Sequence, residues 1–240
     1  MKKTRLARFS YILLAALCCL VIQSAQAALD GILLDPPSGK PPQRLLVLLH
    51  GYGSNEQDLL PLADYVTPDY AVMSLQAPIP LGSNRFAWYR SGASAQADIN
   101  NARQQILTRV AQVQQQLNIA PNKTLLAGFS QGAVMSWSIA FNAPQSIGAA
   151  AIFSGRLPES VGNTPSQQAG RSLPQLFVGH GEQDQRIALA LDEQAAALAK
   201  KRGYLLSFHR YADLGHGINS RELNDFKQWA TRLSSQTPLR

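Results

Sequence analysis

Cysteine is almost absent from this chain: two of its 240 residues are cysteines, and both lie near the N-terminus. Cys18 and Cys19 stand in an apolar stretch that has the character of a targeting signal. If that stretch is cleaved off, the mature protein has no disulfide, no thiolate nucleophile and no cysteine ligand for a metal. Because no His-Glu-x-x-His or other spaced ligand set occurs either, we expect no metal and no other cofactor.

A long membrane-spanning run is also missing. Four basic residues precede an apolar segment at residues 11–22, which is short for a membrane span. Ala27 ends an Ala-x-Ala motif, so residues 1–27 are interpreted as a secretory signal peptide that is cleaved there. The mature protein would begin at Ala28, be periplasmic or secreted, and have no stable membrane anchor. An uncleaved anchor is the alternative.

The excess of basic charge is smaller than the whole composition suggests. The net charge is +7, but four of the 22 Lys and Arg residues, and none of the 15 Asp and Glu residues, fall in residues 1–27. The remainder has 18 basic and 15 acidic residues, a net charge of +3. It has no run of Lys or Arg and no aromatic residues interleaved with basic ones, so we expect no nucleic-acid partner.

What the chain does have, after residue 27, is an alternation of two hydrophobic patterns. Apolar runs typical of buried strands lie at residues 45–49, 71–75, 124–127, 149–153 and 176–180, and further strands are predicted at 205–211 and, shorter, at 31–34. Helix-like segments lie at residues 55–66, 98–117, 131–142, 187–202 and 220–233. This order predicts one α/β domain over residues 28–240 with a doubly wound, mostly parallel sheet. The polar residues 156–173 are interpreted as an excursion from it.

Residues 128–132, Gly-Phe-Ser-Gln-Gly, lie between a predicted strand and a predicted helix. This is the context in which Gly-x-Ser-x-Gly forms a nucleophile elbow. The two glycines leave room for a tight turn, which lets Ser130 adopt a strained conformation with its hydroxyl directed out of the sheet. Glycine and serine are also ordinary turn residues, so the pentapeptide alone predicts a nucleophile only weakly.

An acid and a histidine follow Ser130 in the order of a Ser-Asp-His triad. Asp184 comes just after the strand at 176–180, and His216 lies between two glycines after the strand at 205–211. Sites in open α/β sheets form beyond the carboxyl ends of the strands, so these side chains should meet. Ser130 would be the nucleophile, His216 the general base, and Asp184 the group that orients the imidazole. Glu182 is the competing acid, and Asp184 could instead cap the following helix.

Together these motifs resemble the phospholipase/carboxylesterase branch of the α/β-hydrolases, which includes small bacterial carboxylesterases and acyl-protein thioesterases. The resemblance rests on residues 49–53 (Leu-His-Gly-Tyr-Gly), 128–132, 180–184 (His-Gly-Glu-Gln-Asp) and 215–217 (Gly-His-Gly), which appear in the expected order. It covers nearly the whole mature chain and implies the α/β-hydrolase fold. Residues 85–89 (Arg-Phe-Ala-Trp-Tyr) resemble a segment that lies near the acyl site in relatives.

Two backbone N–H groups are expected to form an oxyanion hole. Gln131, the residue after the nucleophile, supplies one of them at the start of a helix. By resemblance, the other belongs to Tyr52. The candidates for binding the acyl group are Phe86, Trp88 and Phe129, and core packing is the alternative for Trp88 and Phe129.

The remaining histidines are interpreted as structural. His50 follows a buried strand and would shape the oxyanion loop by hydrogen bonding rather than act as a base. His180 stands in a second His-Gly pair at a strand end, and His209 lies within a strand on a partly exposed face.

The sequence thus predicts an exported serine hydrolase that cleaves small-molecule carboxylic esters with short to medium acyl or aryl groups. Thioester or lysophospholipid hydrolysis on the same triad is the nearest alternative. A non-catalytic binding protein on a hydrolase scaffold is a rival of another class, and it would predict a broken triad. The sequence does not determine the oligomeric state, and a homodimer is compatible with it.

Overall fold

Strands and helices alternate along the part of the chain that the computed structural model describes, residues 29–158, 161 and 173–235. The strands are β1 (Gly31–Leu34), β2 (Arg44–Leu49), β3 (Tyr70–Leu75), β4 (Ile79–Gly82), β5 (Arg85–Ala87), β6 (Thr124–Phe129), β7 (Ala149–Phe153), β8 (Gln175–Gly181) and β9 (Leu206–Tyr211). The α-helices are α1 (Ala95–Leu117), α2 (Gln131–Asn142), α3 (Leu189–Lys201) and α4 (Ser220–Ser235). The predicted signal peptide and most of the predicted excursion lie outside the described residues.

Seven of these strands form one sheet in the order β1-β3-β2-β6-β7-β8-β9. Its pairs are parallel except at one edge, where β1 runs antiparallel to β3. The prediction of a doubly wound, mostly parallel sheet is therefore confirmed. Such a sheet is covered on both faces, which is why Leu45–Leu49 of β2 can be apolar throughout and fully buried.

Successive side chains of each strand enter two different cores. In β2, Leu45 and Val47 join the cluster packed against α1, α2 and α3, whereas Leu46 and Leu48 join the cluster packed against α4. In the described part of the chain, no helix is both long enough and apolar enough to cross a membrane.

Residues 55–66 do not form the predicted α-helix. They form turns followed by a 3-10 helix at Leu60–Tyr65. Pro61 has no N–H to donate and restricts the residue before it, so an α-helix cannot run through this point without interruption. Asn55, which was expected to cap the helix, instead closes a turn in which its Oδ1 accepts a hydrogen bond from the N–H of Gln57 at 2.9 Å.

The sequence pattern does not predict the hairpin of β4 and β5. Its central residues, Ser83 and Asn84, have φ angles of 49° and 56°, as in the type I′ turns common in two-residue hairpins. Prolines stand beside and within β4, and because proline is unusual in strands, the sequence does not predict a strand there. The hairpin positions residues 85–89, because Phe86 pairs through its backbone with Ser54 in the loop after β2.

Candidate active site

Ser130 follows β6 directly and lies at the start of α2, where the winding of the sheet reverses. From β2 the chain goes outward to β3 and then returns to β6 on the other side of β2. Binding sites in doubly wound sheets lie at such reversals. Ser130 has φ 54° and ψ −114°, a conformation that costs a non-glycine residue about 1–3 kcal/mol. Its N–H donates to the carbonyl oxygen of Phe153 at 3.0 Å, which holds the turn.

The glycines on either side of Ser130 are required because backbone approaches each of them closely. A Cβ on Gly128 would collide with the carbonyl oxygen of Gly132, and a Cβ on Gly132 would collide with the carbonyl oxygen of Leu49. The elbow thus packs against the end of β2 with no space for a methyl group. This explains both glycines of the pentapeptide.

The side chains predicted to form a triad lie in one chain of hydrogen bonds. His216 Nε2 is 2.9 Å from the Oγ of Ser130, and His216 Nδ1 is 2.7 Å from the Oδ2 of Asp184. The Asp184 side chain is fully buried, and that of His216 is 12% exposed. Since the carboxylate holds Nδ1–H, Nε2 is free to accept the serine proton. Glu182, the competing acid, is exposed.

Asp184 uses its two oxygens differently. Oδ2 contacts His216, whereas Oδ1 accepts hydrogen bonds from the N–H groups of Arg186 at 2.8 Å and Ile187 at 3.0 Å. Burial raises the pKa of Asp184, but the hydrogen bonds from these groups outweigh it, so the pKa lies below its usual value. Asp184 therefore closes a turn. The alternative that it caps the next helix is wrong, because α3 begins only at Leu189.

The loop after β2 brings its backbone against the elbow. A Cβ on Gly51 would lie 3.1 Å from the ring of Phe129 and 3.5 Å from the Cβ of Ser130. The N–H of Tyr52, expected from the resemblance to belong to an oxyanion hole, is thus on a segment that lies beside Ser130. The Tyr52 side chain itself is 57% exposed.

Gln131 contributes its N–H at the start of α2, where the first N–H groups have no partner within the helix and carry partial positive charge. Its buried side chain has a separate role that the sequence did not reveal. Oε1 accepts from the N–H of Trp88 and Nε2 donates to the carbonyl oxygen of Tyr89, both at 2.9 Å. The side chain thereby ties the segment after β5 to the elbow.

His50 shapes the loop after β2, as predicted. Its Nε2 accepts from the N–H of Ala77 at 3.1 Å, so Nδ1 carries hydrogen and donates to the carbonyl oxygen of Gly51 at 2.7 Å. Burial lowers the pKa of His50, consistent with a neutral ring that has one donor and one acceptor. The prediction of a hydrogen-bonding role is confirmed.

Trp88 lies in the core and not at the site. It is fully buried, its Nε1 donates to the carbonyl oxygen of His50 at 2.8 Å, and its ring centre is 5.4 Å from that of His50. The prediction that Trp88 binds the acyl group is therefore wrong, because core packing already satisfies its ring and its N–H. Phe86 and Phe129 are half-buried. The ring centre of Phe129 is 5.0 Å from that of His216, so Phe129 forms one wall of the site.

A second histidine–carboxylate pair lies behind Asp184. His180 is fully buried at the end of β8, with Nδ1 2.7 Å from Oδ2 of Asp192 and Nε2 2.9 Å from the carbonyl oxygen of Ile187. The same Nε2 is 3.3 Å from Oδ2 of Asp184. Burial lowers the pKa of His180, but the hydrogen bond and the charge of Asp192 outweigh it and leave the pKa raised.

Sequence reasoning missed Asp192, although α3 carries a signal. The buried residues of this helix recur at helical spacing: Asp192, Ala195, Ala196 and Ala199. An acidic residue on an apolar stripe needs partners in the core. Besides His180, Asp192 receives hydrogen bonds from Nε1 of Trp137 at 2.7 Å and from the N–H of Gly155 at 2.9 Å.

Glu222 is a further buried carboxyl group, on the opposite face of β8. It lies in the first turn of α4 against Gly179, where a Cβ would collide with its carboxyl group. Neither of its oxygens has a hydrogen-bond partner among the described residues. Burial raises the pKa of Glu222 to about 8, so the group is mostly neutral near pH 7. Across residues 29–158, 161 and 173–235, no three acidic, His or Cys side chains are arranged to hold a metal ion.

Comparison of the whole chain with known proteins leads to one family. The sequence matches the Phospholipase/Carboxylesterase family model over residues 36–233. It is 31% identical to lysophospholipase-like protein 1 of Mus musculus over 135 residues, which cover 55% of this chain and 56% of the mouse protein. It is 23% identical to acyl-protein thioesterase 1 of Kluyveromyces lactis over 215 residues, which cover 80% of this chain and 93% of the yeast protein.

Solved structures agree with these sequence matches. The crystal structure of esterase PE8 superposes with a TM-score of 0.73 and 27% identity, over 85% of this chain and 98% of the esterase. Coverage of the curated relatives is uneven: the alignments with the mouse protein and with the Arabidopsis thaliana probable carboxylesterase SOBER1-like span about half of those proteins, 56% and 42%.

Proposed function

Since the chain belongs to the phospholipase/carboxylesterase family of α/β-hydrolases, we propose that it is a serine hydrolase that cleaves carboxylic esters through an acyl-enzyme. In this proposal Ser130 is the nucleophile, and His216 is the general base and later the general acid. Asp184 orients the imidazole. The backbone N–H groups of Tyr52 and Gln131 form the oxyanion hole.

The chemistry follows from these positions. His216 Nε2 removes the hydroxyl proton of Ser130 as Oγ attacks the ester carbonyl carbon. The two N–H groups stabilise the negative charge on the carbonyl oxygen, and losing one such donor typically lowers the rate by about 10²–10³. The imidazolium then protonates the leaving alcohol. Water, activated by the same imidazole, releases the acid and restores Ser130, while Asp184 stays ionised and stabilises the transient charge.

The observation that carries this proposal is the continuous chain of hydrogen bonds from Asp184 through His216 to Ser130. It ends on a serine held in a strained backbone conformation. A non-catalytic binding protein on this scaffold would need neither the intact chain nor the strain, so both features favour catalysis over binding alone.

The experiment uses a fluorophosphonate probe. We expect one label per molecule of the wild type, on Ser130, and loss of both labelling and ester turnover in Ser130→Ala. Asp184→Asn should lower kcat by orders of magnitude, as in other triads of this type. Glu182→Gln, which alters an exposed carboxylate in the same loop, is the matched control and should keep both activities. Labelling of another serine in Ser130→Ala, or a larger loss in Glu182→Gln than in Asp184→Asn, would contradict the assignment.

For the substrate we propose an ester with a short to medium acyl or aryl group. The half-buried ring of Phe129 beside His216 offers a limited apolar surface, and each buried methylene contributes about 0.8 kcal/mol. The names of the mouse and yeast relatives make lysophospholipids and acyl thioesters the alternatives. A panel of aryl esters of graded acyl length, one thioester and one lysophospholipid separates these substrates. A kcat/KM that rises through the longest chains would favour a lipid.

We also propose that the protein is exported and cleaved after Ala27. The support is the basic and then apolar pattern of residues 1–27 with its Ala-x-Ala motif. The intact mass of the exported protein should correspond to a chain that begins at Ala28. Thiol reagents should leave its activity unchanged, because both cysteines precede that point. A full-length mass in the membrane fraction would contradict export with cleavage.

A further inference from the structure

The Asp184 oxygen that contacts His216 lies between two imidazole rings. Oδ2 is 2.7 Å from Nδ1 of His216 and 3.3 Å from Nε2 of His180. The side chains of His180 and Asp184 are both fully buried, so solvent does not screen this contact. The mechanism proposed above uses the first ring and gives the second no role.

The partners of His180 require hydrogen on both of its nitrogens. Nε2 faces the carbonyl oxygen of Ile187, which can only accept, so Nε2 carries hydrogen. Nδ1 faces Asp192, whose oxygens also accept from Trp137 and Gly155. Both nitrogens of His180 therefore face acceptors, and the hydrogen bond and the charge of Asp192 raise the pKa of His180, so the ring is held as an imidazolium.

The charges around His180 explain how it stays protonated in the core. Asp184 and Asp192 lie within 3.3 Å of the ring and supply negative charge from two sides. Glu222, on the other face of β8, is mostly neutral and adds little. A cation between the two buried aspartates offsets the cost of burying their negative charges.

We propose that His180 is a positioning residue: a buried imidazolium, held by Asp192, that fixes Asp184 beside His216 and keeps that carboxylate ionised. This inference rests on the proposed function, because it gives His180 a part in the same reaction. The positive charge of His180 opposes rotation of Asp184 away from His216 and opposes transfer of the proton that His216 gains from Ser130. It adds to the N–H groups of Arg186 and Ile187, which hold Oδ1 of Asp184.

The kinetic test compares His180→Gln with His209→Gln, a histidine on the neighbouring strand that contacts Ser207. In His180→Gln we expect kcat per folded molecule to fall about 10–100-fold with KM unchanged, by analogy with the loss when a partner that orients a metal-binding side chain is removed. Labelling of Ser130 by the fluorophosphonate should slow by the same factor. His209→Gln should change neither rate. A His180→Gln protein with lowered stability and unchanged kcat would overturn the proposal.

A spectroscopic test keeps the proposal falsifiable if His180→Gln does not fold. In wild-type protein with ¹⁵N-labelled histidine, both ring nitrogens of His180 should remain protonated at about pH 8, where an unperturbed histidine is neutral. A neutral His180 there would overturn the proposal. The outcomes also separate the two proposals. Wild type that neither reacts with the fluorophosphonate nor turns over esters contradicts the proposed function, whereas active wild type matched by His180→Gln contradicts this inference alone.

Discussion

Asp192 and Glu222 are both fully buried carboxyl groups, and they lie on opposite faces of the same strand, β8. Successive side chains of a strand point to opposite faces. His180 therefore faces Asp192 of α3, whereas on the other face the carboxyl group of Glu222 from α4 occupies the space beside Gly179. Asp192 receives hydrogen bonds from three groups, and the oxygens of Glu222 receive none from the described residues. Because burial is the same in both cases, the two groups differ in their supply of hydrogen-bond donors, and burial without donors raises the pKa of Glu222 to about 8.

The difference between the two faces follows the position of the site. The charged pair, His180 and Asp192, is on the side that contacts Asp184. The neutral Glu222 instead shares its face with the aromatic core residues Phe177 and Phe226. The charged groups of the core thus lie beside the site at which the proposed reaction develops charge. Three substitutions test whether Asp192 and Glu222 differ in this way.

The largest effect should come from Asp192→Ala. It leaves the imidazolium of His180 and two N–H groups without a partner, and breaking a buried ion pair typically costs about 3–5 kcal/mol of unfolding free energy. Urea denaturation measures the loss. The neighbouring Glu193→Ala removes only a partly exposed ion pair with Arg210 and should cost less than about 1 kcal/mol. Equal losses of unfolding free energy in the two variants would mean that Asp192 does not form a buried ion pair with His180.

Glu222→Gln should change how stability depends on pH. The pKa of Glu222 is raised from 4.5 to about 8 on folding, so the folded protein holds a proton that the unfolded chain releases above about pH 4.5. The stability from this group is complete below that pH and declines by about 1.4 kcal/mol per pH unit as the pH rises toward 8. Glu222→Gln removes the decline, so its advantage over wild type should grow to about 4 kcal/mol across this range. Parallel curves of unfolding free energy against pH would refute this.

Gly179→Ala should give the smallest effect. Its methyl group meets the carboxyl of Glu222, and overpacking of this kind costs about 1–3 kcal/mol. In a Glu222→Ala background the same substitution should cost clearly less, because the colliding group is gone. Thermal unfolding of the four proteins in this double-mutant cycle measures the coupling. If the free-energy costs of Gly179→Ala and Glu222→Ala simply add, the new methyl group does not collide with the carboxyl group of Glu222.

The parts of the fold that could be predicted are those in which the local pattern and the tertiary contacts agree. The apolar run at Leu45–Leu49 is buried in the sheet, and the helical spacing of Ile99, Ile106 and Val113 faces the core from α1. The prediction fails at residues 55–66, where apolar residues recur but Pro61 excludes an α-helix.

The candidate site shows the same division. Ser130, Asp184 and His216 could be singled out because each follows a strand and stands in a recognisable turn. The pairing of His180 with Asp192 could not, because contacts between separate elements define it; the apolar stripe of α3 signals only that Asp192 is buried. Trp88 shows the limit of prediction from sequence: its neighbours in the chain do not distinguish a tryptophan buried in the core from one that lines a binding site.

The left-handed φ of Ser130 has an evolutionary consequence. Glycine adopts this backbone conformation without strain, so the amino acid that suits the turn best is one that has no hydroxyl. Serine gives up about 1–3 kcal/mol at this position, a large share of the 5–15 kcal/mol that typically separates folded from unfolded domains. Selection on stability alone would replace Ser130, so the presence of serine here fits the nucleophile role proposed above. Under that proposal, folding and catalysis favour different amino acids at this one position.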